Sequence, residues 1–273
     1  MALTRFQREL CRLIAANRRQ GGESYVAGGV ALNELIGGRR ISRDLDLFHD
    51  TDEALRVSWA GDRALLEASG LHVDVLRESP SFVEAMVSRS PSEGLLVQWV
   101  RDSAYRFFPL VEDELFGLVL HPFDLATNKV LALVGRLEPR DWIDTVESDA
   151  RVQPLGYLAW AACGKDPGFG PAALLAEARR SGRYSQVELD ELAFDGERPD
   201  AGELGGRWRQ ILAEADRAIG RLPPDQVGRV VLASGGELYR GTAEALEREL
   251  AAGRIDFHPG RIRGIWPAIR PLK

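Results

Sequence analysis

The chain has 273 residues, 45% apolar and 28% charged, with a formal net charge of −6. That is the composition of an ordinary globular protein, long enough for one large domain or two smaller ones. Its mild acidity excludes adhesion to nucleic acid by bulk charge, though not a local basic patch. No run approaches the roughly 18 consecutive apolar residues that span a bilayer. The opening stretch MALTRFQRELCRLIAANRRQ is charged throughout, unlike a secretory signal, so no membrane association and a cytoplasmic location are expected. Cys11 and Cys163 match no metal or redox spacing and read as buried or idle thiols.

In chain order, residues 4–19 read as an amphipathic helix with Thr4 as a possible N-cap and Phe6, Leu10, Leu13 and Ile14 at helical spacing. The segment ESYVAGG is a short strand ending in a turn, followed by a helix over 30–36 that GGRR breaks. DLDLF alternates as a strand, with Asp44, Asp46 and Phe48 on one face and Leu45 and Leu47 on the other. A helix over 51–69 follows, capped by Thr51 or Asp52 and stopped by Gly70. Strand-like runs come next: LHVDVLRES, FVEAMVSR, LLVQWVRDS and RFFPLV…LFGLVLH. From Pro122 the pattern becomes helical, with PFDLATNKVLALVGR, a helix from RDWIDTVESD, and further helices near 154–163, 171–181, 185–194, 203–220 and 237–252. GKDPGFGP is a loop, and the tail IDFHPGRIRGIWPAIRPLK holds too much Gly and Pro for a regular element. The chain therefore divides into an α/β domain over 1–121 and a helical domain over 122–273.

Asp44 and Asp46, at i and i+2 of a strand, project from one face closely enough to share divalent cations. Mg²⁺ takes one or two carboxylates together with phosphate oxygens and water, and two such ions can activate an attacking oxygen and neutralise a leaving pyrophosphate. The plain alternative is a half-exposed strand. Gly28 and Gly29 lack Cβ atoms and open a helix, where free N–H groups and the dipole favour phosphate; the plain alternative there is a tight turn. The pattern is neither a Walker loop nor a G-x-G-x-x-G fingerprint. What is specific is the succession of strand, Gly-Gly, helix, Arg-Arg, Ser and D-x-D. Arg39, Arg40 and Arg43 could steady a triphosphate, and the Ser42 hydroxyl could bond a phosphate or a carboxylate. Lys129 and Arg136, seven apart, share a face beside the apolar stripe of their helix, and Asp141 and Asp144 share a face of the next one.

The stretch GGVALNELIGGRRISRDLDLF resembles the GG…R-x-S-x-D-L-D-L-F signature of the nucleotidyltransferase AbiEii/AbiGii toxin family, within the polymerase-β-like superfamily. LHPFDLATNKVLALVGRLEPRDWID resembles that family's lysine-bearing helix followed by R-D-x-x-D. The resemblance covers the functional part of residues 25–144. It implies a polymerase-β-like α/β domain with a mixed sheet, followed by a C-terminal helical domain that contributes Lys129 and the Arg140–Asp144 segment. By the same resemblance, Gly28 and Gly29 hold the triphosphate, Asp44 and Asp46 bind the catalytic metals, Lys129 reaches the triphosphate, and Asp141 or Asp144 completes the site. The implied reaction is Mg²⁺-dependent transfer of an NMP from an NTP to a hydroxyl of tRNA or protein, with Mn²⁺ as a possible substitute. A toxin-like role and an antitoxin partner are implied with it.

One position departs from the pattern. Polymerase-β-like enzymes usually supply a third carboxylate from a neighbouring strand, where this chain has Gln98; Asp102, on the same face of an unbroken strand, and Asp74 are the substitutes within reach. Without either, the acceptor proton loses its obvious base, and a nucleotide-binding or partner-binding protein of the same fold is the alternative. His49, His72, His121 and His258 have no zinc spacing, and no serine lies in a G-x-S-x-G elbow. Trp99, Tyr105, Phe107 and Phe108 could stack a base but read as core at strand spacing.

Overall fold

A computed structural model of the protein describes residues 3–268. The chain forms two compact units, Met1–Ala104 with Leu110–His121, and Tyr105–Pro109 with Pro122–Lys273. Its elements run α1 (Arg5–Gly21), β1 (Ser24–Ala27), α2 (Gly28–Ile36), β2 (Arg40–Ile41), β3 (Asp44–His49), α3 (Asp52–Ala68), β4 (His72–Ser79), β5 (Phe82–Ser90), β6 (Glu93–Arg101), β7 (Tyr105–Arg106), β8 (Val111–Asp113) and β9 (Gly117–Val119). There follow α4 (Pro122–Arg136), α5 (Pro139–Arg151), α6 (Leu155–Ala162), α7 (Pro171–Ala178), α8 (Gln186–Asp190), β10 (Ala193–Phe194), α9 (Ala201–Ile219), β11 (Arg229–Ala233), α10 (Ala243–Ala251), β12 (Ile255–Pro259) and β13 (Arg261–Ile262).

The first unit is built on a seven-stranded mixed sheet in the order β4-β5-β6-β3-β1-β9-β8. β3 runs antiparallel to β1 and parallel to β6, while β4, β5 and β6 form an antiparallel meander. The expected alternation of β3 holds: Leu45 and Leu47 are fully buried, whereas Asp44, Asp46 and Phe48 are half-buried. On the buried face α1 and α3 cover the sheet, and Trp59 meets Trp99 edge-on at 4.6 Å. Both helices begin as their sequences predict. Thr4 forms a capping box with Gln7, and Thr51 accepts from Ala54 N at 3.1 Å.

A polar knot lies inside this otherwise apolar layer. Asp62 on α3 accepts from Arg18 Nη2 at 3.2 Å, Trp99 Nε1 at 3.0 Å and Asn17 Nδ2 at 2.9 Å, and Arg18 also donates to the Ile14 carbonyl. The carboxylate therefore takes three donors, which is what a buried charge requires. Cys11 and Cys163 are both buried, and loss of solvation pushes their thiols up to about 12 and about 11, so neither is poised to react.

The second unit packs around α6, every residue of which is buried. Tyr157 and Trp160 of that helix meet Ala218 and Leu222, Val231 of β11, and Leu246 of α10. The segment 105–109 is tied into this unit by Asp124, which accepts from Phe107 N at 2.9 Å and Phe108 N at 3.0 Å and pairs with Lys165 at 2.8 Å. Phe107, Phe108 and, in the first unit, Trp99 are core residues, as their spacing predicts.

Three expectations need correction. The helix expected over 185–194 ends at Asp190, and Ala193–Phe194 form the short strand β10. The tail is regular in part: β12 pairs antiparallel with β11 along its length, and β13 pairs with β7. The helix expected over 237–252 is confined to 243–251, because Gly235 and Gly236 form a turn after β11 and Thr242 supplies the N-cap. The last residues of the tail sequence, 269–273, lie outside the described residues. Among the described residues, no helix is long and apolar enough to cross a membrane.

Candidate functional site

Each unit carries one cluster of the expected residues. In the first unit, β1 ends at Ala27 and α2 starts at Gly28, whose backbone is left-handed at φ 69°. Ala27 is the N-cap of α2 and its side chain offers no bond to the first-turn N–H groups. Ala27 pairs directly with Asp46 across the β1–β3 ladder. The two glycines are needed there for space. A Cβ on Gly28 would overlap Asp46 Oδ2 and stand 2.8 Å from its Cγ, while one on Gly29 would overlap Arg40 Nη2 and stand 3.2 Å from Ser42 Oγ. The carboxylate of Asp46 thus lies against bare backbone at the start of a helix, and a guanidinium lies against the next residue.

The Arg-Arg-Ile-Ser-Arg run is sorted by its strand. Arg40 and Ser42 are buried, whereas Arg39 and Arg43 are exposed. Ser42 donates its hydroxyl to Asp44 Oδ1 at 2.8 Å, and Gln7 Nε2 holds the Ser42 carbonyl at 2.9 Å. This fixes Asp44 from behind. Asp44 and Asp46 then project from the half-buried face of β3, a donor set made only of oxygen, which suits a hard divalent cation. Among the described residues, no group of three or more His, Cys, Asp or Glu side chains could hold a metal by itself. A cation at this pair would therefore need oxygens from another source, such as a phosphate.

The third position is occupied differently from both suggested substitutes. Gln98 is the register partner of Asp46. Strand β6 stops at Arg101, and Asp102 is exposed beyond it with its N–H on the His49 carbonyl. Four residues beyond Gln98, it lies roughly 13 Å further along the strand direction. Asp74 is exposed on β4, three strands away from β3. Neither is brought beside Asp46. The neighbour of Gln98 is instead Glu84 on β5, which accepts from Gln98 Nε2 at 2.7 Å. The sequence reading missed Glu84. The alternation of FVEAMVSR and the tight β5–β6 turn held the signal, because together they set which residue faces Gln98.

In the second unit, α4 and α5 assemble the other cluster. Lys129 is 6% exposed and donates to Asp141 at 3.0 Å, with Asp144 at 3.1 Å. Arg136 grips Asp141 with both Nε (2.6 Å) and Nη2 (3.0 Å). Asp141 and Asp144 are fully buried, while the Arg136 side chain is 44% exposed. Burial acts to raise the Asp141 carboxyl, but the Arg136 hydrogen bonds and the Lys129 charge outweigh it and hold the group below the usual range. The four charges cancel inside the unit, so this cluster locks α4 to α5.

The architecture is that of the nucleotidyltransferase fold. The chain resembles the solved structure of a candidate nucleotidyltransferase from Helicobacter pylori, at 16% identity and a TM-score of 0.53, over 80% of this chain and 96% of that one. It also resembles MenT4, a nucleotidyltransferase toxin from Mycobacterium tuberculosis H37Rv, at 15% identity and a TM-score of 0.50, over 80% of this chain and 87% of that one. At such identities the likeness establishes the fold. No family model matches the sequence, and no curated protein does.

Proposed function

We propose that the protein is a nucleotidyltransferase that moves an NMP from an NTP to a hydroxyl acceptor. The observation that carries this reading is the arrangement at the β1–α2 turn, where Asp46 lies against Gly28 at the start of an uncapped helix and Asp44 is held by Ser42. The fold shared with nucleotidyltransferases and the two sequence signatures support it.

In this reading the triphosphate rests on the first-turn N–H groups of α2, where the dipole and free donors favour an anion, with Arg40 held against Gly29 as a fixed positive charge. Asp44 and Asp46 hold Mg²⁺, or Mn²⁺ in its place, as one ion or two. When bound, the cation supplies charge neutralisation for the phosphates and lowers the pKa of a bound hydroxyl. The acceptor oxygen forms a bond to the α-phosphorus, the bond to the β-phosphate oxygen breaks, and pyrophosphate leaves with the electron pair. The acceptor proton passes to a carboxylate of the Asp44–Asp46 pair or to water. Lys129, Arg136, Asp141 and Asp144 are assigned by resemblance to the same reaction, with Lys129 as the phosphate-binding cation.

A toxin-like role with a tRNA or protein acceptor, and a cognate antitoxin, follow from the family resemblance and from the description of MenT4. The use of NTP suits a cytoplasmic setting. The second reading, a nucleotide-binding or partner-binding protein without turnover, is favoured by one observation, the neutral Gln98 beside Asp46. Incubation of the protein with labelled NTPs, Mg²⁺ and total RNA separates the two. Label on RNA or on protein, lost in Asp46→Ala, supports transfer. Measurable NTP binding with no transfer to any acceptor supports the second reading.

A further inference from the structure

The half-exposed face of the first unit's sheet carries a carboxylate, Glu84, that the proposed reaction does not use. In the register, Asp46 on β3 stands beside Gln98 on β6, and Gln98 stands beside Glu84 on β5. Register partners point to the same face, so the three side chains form one row across strands about 4.8 Å apart. The adjoining row, Phe82–Val100–Phe48, is apolar, and on the other side Met86 and Leu96 lead to Asp44. Along the strands Glu84 and Gln98 have apolar neighbours, and across the sheet the exposed Arg77 of β4 stands beside Glu84 and Asp46 beside Gln98; a half-buried polar pair costs desolvation unless it is used or tightly bonded.

The bond between them has a direction. A carboxylate oxygen accepts, so the Gln98 amide turns its nitrogen to Glu84, and the 2.7 Å contact is made by Nε2. An amide has one nitrogen and one oxygen, so Oε1 is left for another partner, and the described residues supply it with no donor. We propose that Glu84 is a positioning residue: by holding the amide nitrogen of Gln98, it presents Gln98 Oε1 as a neutral oxygen ligand for the divalent cation at Asp44 and Asp46. The assignment rests on the reading of those aspartates as cation ligands. A carbonyl oxygen fills a place in the shell of a hard cation without adding charge. The site then keeps two negative charges rather than three, which suits a ligand as anionic as a triphosphate.

The test is direct titration of the full-length protein with Mn²⁺ alone, reading free Mn²⁺ by electron paramagnetic resonance, with folding checked by circular dichroism. Asp46→Asn abolishes binding and anchors the experiment. Glu84→Gln, which leaves the amide of Gln98 without a fixed orientation, weakens Mn²⁺ binding about fivefold, the equivalent of one oriented hydrogen bond. The double variant Glu84→Gln with Gln98→Glu reverses the bond, offers an oxygen at position 98 whichever way the side chain turns, and regains wild-type affinity or better. A purely structural role for Glu84 would lower thermal stability and leave Mn²⁺ affinity in the folded protein unchanged. Should Glu84→Gln fold poorly, Gln98→Leu carries the test and shows the same loss. Wild-type affinity in Glu84→Gln or in Gln98→Leu, or no recovery in the double variant, overturns the proposal while leaving Asp46 in place. Failure of Asp46→Asn to change binding, or absence of Mn²⁺ binding in the wild type, removes the aspartate reading and this proposal with it.

Discussion

Replacing Gly28 with alanine tests whether the β1–α2 turn is built around the Asp46 carboxylate. Two costs add. Gly28 is left-handed at φ 69°, a conformation that costs an L-residue about 1–2 kcal/mol. The new methyl would also overlap Asp46 Oδ2, 2.8 Å from its Cγ, so the carboxylate must leave its rotamer at a further cost of about 1 kcal/mol. The sum, about 2–3 kcal/mol, corresponds to a fall in Tm of roughly 4–12 °C for a chain of this size. Gly29→Ala is the comparison. Its backbone is not left-handed, and its methyl meets Arg40 Nη2, the movable end of a long side chain, so the cost stays below about 1 kcal/mol. Gly135, in α4 with open space around it, is the control, and Gly135→Ala is neutral or stabilising by up to about 1 kcal/mol. Differential scanning fluorimetry reads all three, and Mn²⁺ titration reads the site. Gly28→Ala loses Mn²⁺ binding as well as stability. A Gly28→Ala protein as stable as Gly29→Ala, with intact Mn²⁺ binding, would refute the reasoning.

Three further outcomes follow from the packing. His49 is fully buried, and burial pushes its imidazole down to about 4, against the smaller opposing pull of the Val100 carbonyl. The unfolded side chain binds its proton near pH 6.5, so this stability is complete above that pH and is lost as pH falls toward 4, by up to roughly 3 kcal/mol; His49→Gln should flatten Tm between those limits, and an unchanged slope would contradict the assignment. Asp62→Asn strips the countercharge from buried Arg18 and should cost about 3–5 kcal/mol in urea unfolding, whereas a loss within roughly 0.5 kcal/mol would show that the knot is not what holds α1 to α3. Lys129→Met removes one of the two cations that hold the Asp141 carboxyl down. A depressed carboxyl stabilises the fold at neutral pH and loses that contribution as pH falls through its folded value, so the variant should be less stable at pH 7 by about 2–4 kcal/mol and begin acid unfolding at a higher pH.

Local pattern revealed much of this molecule. The alternation of DLDLF placed Asp44 and Asp46 on the half-buried face of β3, and the Gly-Gly pair marked the start of α2. Thr4, Thr51 and Pro122 marked helix starts because capping and proline effects act within one turn. What local pattern could not carry was pairing at a distance. The strands β11 and β12 are short apolar runs that only their mutual ladder defines. Arg40 and Arg39 are adjacent and alike in sequence, yet only Arg40 is buried against Gly29, because strand phase decides which one turns inward. Sequence pattern points to Asp102, on the adjacent strand, as the third member of the Asp46 row. Strand β6 ends one residue earlier, and the carboxylate beside Gln98 belongs to Glu84, 14 residues before it in the chain.

The most direct measurement is transfer of label from an α-³²P NTP, with Mg²⁺ and total RNA, by the wild-type protein and by Asp46→Ala. The account predicts label on RNA or on a protein acceptor, release of pyrophosphate in equal amount, and loss of both in the variant. Transfer that survives Asp46→Ala would contradict it.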